Sequence, residues 1–99
     1  MIRACFTENR LTVSGHAGYA PKGQDIVCAA VTALVFALAG YLEKQDRAAE
    51  LIMRPGYVTV AATGYSPAFE VIRCGMQQLA ADYPENVEVA GNQERGEKS

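Results

Sequence analysis

The chain has a single histidine, His16, and three cysteines, Cys5, Cys28 and Cys74, at unrelated spacings in 99 residues. One imidazole and three scattered thiols, with no C-x-x-C pair, hold zinc only if distant segments converge, so no metal is expected. The stretch MIRACFTENR carries charge where the apolar core of a secretory leader should begin, which predicts a cytoplasmic protein with reduced thiols. Clustered basic charge is missing too. Nine Lys and Arg are set against eleven Asp and Glu, for a formal net charge of -2, and they are scattered, which argues against a phosphate-binding surface and against nucleic acid as a partner. Gly18 and Gly23 make no phosphate cradle, because Lys22 precedes Gly23 rather than following it in a G-x-x-x-x-G-K-[ST] pattern. No cofactor is called for.

Charge is absent altogether from IVCAAVTALVFALAGYL, residues 26–42. Seventeen residues lie at the short edge of a bilayer span, typically ~20, and this run is rich in Ala and Gly with no basic flank, so no membrane association is expected. A helix apolar nearly all round is otherwise a buried one. It needs a sheet on one side and a second helix or subunit on another, which points to a homodimer.

With 49% hydrophobic and 20% charged residues, the chain has apolar material for one core without disulfides or metal. Ile2, Ala4 and Phe6 alternate, as do Leu11 and Val13, predicting two strands joined at Glu8-Asn9. Asp25 stands where a helix N-cap belongs, with helix expected from about Ile26 to Glu43. Short strand-like runs, Glu50 to Met53 and Tyr57 to Ala61, flank Arg54-Pro55-Gly56-Tyr57, whose Pro and Gly suit a type II turn. Ser66-Pro67 then opens a second helix, with Phe69, Ile72, Met76, Leu79, Ala80 and Tyr83 at helical spacing before Pro84 ends it. Gly75 within that helix is unfavourable by roughly 1 kcal/mol against Ala, which suggests a close helix contact. Asn86 to Ala90 alternate as a last strand. The expected fold is α+β in two layers, two helices packed on a mainly antiparallel sheet in the order β-β-α-β-β-α-β, forming one domain over residues 1–90. Residues 91–99, GNQERGEKS, have too little apolar content to pack and read as a disordered tail.

Chemistry concentrates in GHAGYAPKGQDIVCAAV, residues 15–31. A thiol attacks only as its thiolate, and a helix N-terminus or a nearby imidazolium favours that form. With Asp25 as cap, Cys28 is the third helical residue, near unpaired N–H groups and the positive end of the dipole, and those N–H groups could hold an oxyanion. His16 sits where a strand gives way to a loop, and the eleven-residue connection is long enough to bring its imidazole to Cys28. Both residues also have plainer readings. A cysteine in VCAAV packs as a small apolar side chain, and His16, on the parity of Thr12 and Ser14, is a solvated strand-end residue. Asp25 reads first as a cap and second as an orienting member of a site. Cys5 and Cys74, without capping or histidine neighbours, are expected in the core.

Gly15-His16-Ala17 followed by Gly23-x-Asp25-Ile26-Val27-Cys28-Ala29 resembles the ribosomal-processing cysteine protease family known as Prp. Length and element order agree nearly to the tail; Thr32 departs from a frequent Ser but keeps the hydroxyl. The resemblance implies a homodimeric cytoplasmic endopeptidase with Cys28 as nucleophile and His16 as general base and acid. It also implies a substrate, the N-terminal extension of ribosomal protein twenty-seven of the large subunit, cut after an aromatic residue. Two other classes fit the residues alone: a non-catalytic ribosome-associated interaction module whose cysteine is packing, and a redox-sensing thiol, which the absence of a resolving cysteine nearby weakens.

Overall fold

The computed structural model describes residues 1–21 and 23–91. Strands β1 (Ile2–Phe6) and β2 (Arg10–Ser14) form the first hairpin, with Ala4 opposite Val13 and Phe6 opposite Leu11. That register turns Ile2, Ala4, Phe6, Leu11 and Val13 into the core from one face. Helix α1 (Ile26–Lys44) follows, then β3 (Ala48–Arg54) and β4 (Tyr57–Ala62), paired antiparallel across the Pro55-Gly56 turn. Gly56 has φ +76°, the left-handed value a type II turn requires at its third position.

Helix α2 (Ala68–Asp82) carries the chain from the end of β4 to the start of β5 (Val87–Gly91). The sheet order is β3-β4-β2-β1-β5. Its neighbours pair antiparallel except β1 and β5, which run parallel, as a helical crossover between strands of one direction dictates. The α+β fold and the element order are therefore as expected, on a mixed sheet. Of the expected tail, Gly91 closes β5 and the remainder lies outside the described residues.

By length and composition α1 could cross a membrane, yet its stripe Val27, Val31, Val35, Leu38 and Leu42 is buried in the common core with the strands. The opposite face stays open: Ile26, Ala29, Ala33, Phe36, Ala37 and Tyr41 are exposed. α2 meets α1 at Leu34, and it comes in tightly. A Cβ on Gly75 would stand 3.2 Å from both δ carbons of Leu34, which is the close helix contact the glycine predicted.

At the start of α2, Pro67 already has helical angles (φ -65°, ψ -11°) and the buried Ser66 Oγ accepts the Ala68 N–H at 3.3 Å. Ser66 caps and Pro67 opens the helix, although its regular part begins one residue later. Phe69, Ile72 and Met76 are buried, and Leu79, Ala80 and Tyr83 pack beside them.

Two thiols correct the sequence expectation. Cys5 and Cys74 are exposed, not buried. Cys5 lies between buried Ala4 and Phe6, so the pleat turns it outwards, while Cys74 falls between Ile72 and Met76, off the buried stripe of α2.

Candidate active site

β2 ends at Ser14, and Gly15 redirects the chain with φ +91°. A side chain there would overlap the Met1 carbonyl oxygen, so this crossing at the start of β1 requires glycine. The Gly15 N–H donates to the Gly56 carbonyl at 2.9 Å, pinning the segment to the β3–β4 turn. His16 comes next and is exposed. Its imidazole rests on Gly56, where an added Cβ would stand 3.0 Å from Nε2. The sequence showed Gly56 as a turn residue only; its second task, a flat support for His16, depends on a contact forty residues away in the chain.

Ala17 brings the segment to α1. Its N–H donates to Cys28 Sγ at 3.4 Å, and its carbonyl accepts from Asn86 Nδ2 at 2.9 Å. The fold thus joins the His16 loop to Cys28 through the backbone beside the histidine. Among the described residues no hydrogen bond joins the imidazole itself to the sulfur. Cys28 is half-buried in the first turn of α1, and one turn later Thr32 donates its hydroxyl to the Cys28 carbonyl at 2.8 Å.

Asp25 does more than cap. Its Oδ1 accepts the N–H groups of Val27 (3.0 Å) and Cys28 (2.9 Å), and Oδ2 accepts those of Tyr19 (3.0 Å) and Ala20 (3.4 Å). One carboxylate therefore closes the helix end and ties the preceding loop to it. The Tyr19 ring also stands edge-on to Tyr83, just beyond α2, with centroids 5.4 Å apart. One consequence differs from expectation. The Val27 and Cys28 N–H groups, offered by the sequence to an oxyanion, already donate to Asp25.

The Cys28 N–H, with those of Tyr19, Ala20 and Val27, holds the Asp25 carboxyl below its ordinary 3.8 against an opposing desolvation. A carboxyl depressed in the folded chain contributes its full stabilisation above the unfolded value, and that contribution is lost as pH falls from about 4 through the lower folded value. Urea unfolding should therefore show wild type losing stability below about pH 4. Asp25→Asn should be less stable at pH 7 and lose less over that window, because its amide does not ionise. Identical acid slopes for the two proteins would mean that this carboxylate does not support the fold.

A half-exposed thiol on a capped helix, with a histidine-bearing loop hydrogen-bonded to its sulfur, is an arrangement compatible with thiol-protease chemistry, here carried on a small α+β domain. The model of a family described as "Cysteine protease Prp" matches residues 1–88, and the chain belongs to that family of ribosomal processing cysteine proteases. It is similar to the ribosomal processing cysteine protease Prp of Mycoplasma genitalium, 30% identical over 93 residues, covering 88% of this chain and 92% of that relative. The Mycoplasma pneumoniae protein of the same name is 44% identical over 50 residues, half of each chain. A crystal structure from Streptococcus mutans superposes with a TM-score of 0.76 at 31% identity, covering 91% of this chain and 92% of the other. The S. aureus Prp, solved with a covalently linked product peptide, shares the fold with a TM-score of 0.81 at 18% identity, covering 91% and 98% of the two chains.

Proposed function

We propose that Cys28 is the nucleophile and His16 the general base and acid of this protease, and that its substrate is the N-terminal extension of ribosomal protein twenty-seven of the large subunit. The observation that carries the reading is the 3.4 Å hydrogen bond from the Ala17 N–H to Cys28 Sγ, which sets the histidine-bearing loop on the thiol at a helix N-terminus. The exposed His16 imidazole swings from Gly56 to the sulfur when substrate binds; catalytic hydrogen bonds commonly tighten only in the loaded enzyme. His16 takes the thiol proton, and the sulfur bonds to the scissile carbonyl carbon while an electron pair moves onto the oxygen. Collapse of that intermediate breaks the C–N bond, and His16 returns the proton to the leaving amine. Water then attacks the thioester as His16 accepts one of its protons, collapse of the second intermediate breaks the C–S bond, His16 returns that proton to the sulfur, and the released carboxylic acid loses its own proton to solvent. Asp25 orients the start of α1 and the loop rather than touching substrate.

The peptide bound covalently in the S. aureus relative supports a peptide substrate. The protein is proposed to act in the cytoplasm as a homodimer. The uncharged exposed face of α1, with Phe36 at 59% and Ile26 at 57% exposure, supports the dimer. A monomeric mass at micromolar concentration would count against that arrangement.

The direct test is mass spectrometry of the extended ribosomal protein after incubation with the reduced, folded protein. The expected product is a single cut within the extension, after an aromatic residue. An intact substrate would favour the other reading, a ribosome-associated interaction module, in which Cys28 only packs against the core beside Val27 and Val31.

A further inference from the structure

Asn86, expected as the first residue of the last strand, lies just before β5 and after α2, and it is tied in three directions. Its carbonyl accepts the Ile2 N–H at 2.8 Å, its N–H donates to the Tyr83 carbonyl at 2.9 Å, and its side-chain Nδ2 donates to the Ala17 carbonyl at 2.9 Å. The two backbone bonds fix the residue to β1 and to the end of α2. The side-chain bond holds the carbonyl of the Ala17–Gly18 peptide, and the Ala17 N–H, on the preceding His16–Ala17 peptide, donates to Cys28 Sγ, so Asn86 acts on that donor through the Ala17 Cα. Because the acceptor is a carbonyl, the amide of Asn86 has only one useful orientation, NH₂ towards Ala17.

The Val27 and Cys28 N–H groups donate to Asp25, and the Ala29 N–H donates to the Asp25 carbonyl at 3.1 Å. The Ala17 N–H is the backbone donor aimed at the sulfur itself. When the sulfur joins a carbonyl carbon, the oxyanion forms one bond beyond that carbon, within the same neighbourhood, and the sulfur, now a thioether, is a weak acceptor.

We propose that the Ala17 N–H is a working part of the site: it holds Cys28 Sγ at rest and passes to the oxyanion when the sulfur attacks, and Asn86, which anchors the carbonyl of the same residue, is the positioning residue that keeps it aimed. This rests on the assignment of Cys28 as nucleophile. The step is balanced: the S–C bond forms, the carbonyl π pair becomes the oxyanion lone pair, and the thiol proton goes to His16. No additional reactant takes part.

The test is steady-state cleavage of a fluorogenic peptide bearing the extension sequence by wild type, Asn86→Ala, Asn86→Asp and Cys28→Ala. Removing an oxyanion donor outright typically lowers kcat about 10²–10³-fold; loosening one should lower it about 10-fold in Asn86→Ala with KM within about 2-fold. Asn86→Asp keeps the shape but turns an acceptor towards the Ala17 carbonyl, so its kcat should fall at least as far. Wild-type kcat in both variants would overturn the proposal. The two backbone bonds of residue 86 survive either change, and should a variant nevertheless fail to fold, the Ala17 amide resonance of wild type decides. It should shift when a peptide aldehyde adds to the Cys28 thiol, and an unmoved resonance would overturn the proposal. Cleavage by Cys28→Ala would remove the nucleophile assignment and the proposal with it, an outcome distinct from an Asn86 variant of unchanged kcat.

Discussion

Replacing Cys28 with alanine should lower peptide cleavage by at least about 10³-fold, because the proposed mechanism routes the covalent intermediate through its sulfur. The change is gentle on the fold: the side chain is half-buried, and its loss leaves the Asp25 cap on the residue 28 N–H in place. His16→Ala should cost a comparable factor. The more demanding expectation concerns the pair. Groups acting as one unit are strongly non-additive, so the double variant should be no slower than Cys28→Ala alone. Rates measured by product appearance would check this. Losses that multiply would mean that His16 works independently of the thiol, for instance by holding the peptide from its place on Gly56.

The largest stability effect is expected at Leu11. It is fully buried on β2, paired with Phe6 on β1 and with Val60 on β4, so it sits at the middle of the sheet's inner face. Leu→Ala at such a site typically costs about 2–5 kcal/mol, the lost transfer energy plus the cavity left behind. Small domains have a total stability of about 5–15 kcal/mol, so Leu11→Ala should shift the thermal midpoint downward by about 10–20 °C. Thermal unfolding followed by circular dichroism measures it directly. A shift below about 3 °C would show that the core closes over the gap. Below the new midpoint, cleavage should persist, since Leu11 is a core residue and not one of the residues of the candidate site.

Local physics made much of this protein legible in one dimension. The inward parity of Ile2, Ala4 and Phe6, the Asp25 cap, the Pro55-Gly56 turn and the Ser66-Pro67 helix start each depend on residues within a few positions, and the structure has all of them. Gly75 was informative for a related reason: a costly residue inside a helix needs a neighbour to explain it, and Leu34 is that neighbour. Cys5 and Cys74 went the other way. Residue type suggested burial, while strand parity and helix phase, which set direction, turned both thiols outwards.

The candidate site divides along the same line. The sequence by itself determined the parts that are covalently close: a thiol three residues from its capping carboxylate, and a histidine between glycines on a loop of a length that returns to it. The tertiary structure alone decided how those parts meet. Ala17 rather than His16 presents the group hydrogen-bonded to the sulfur, Gly56 supports the imidazole, and Asn86 holds the Ala17 carbonyl from 69 residues away. Such contacts arise where strand ends and turns converge once the sheet is assembled. No periodicity or local propensity encodes them, because their partners share neither an element nor a sequence neighbourhood.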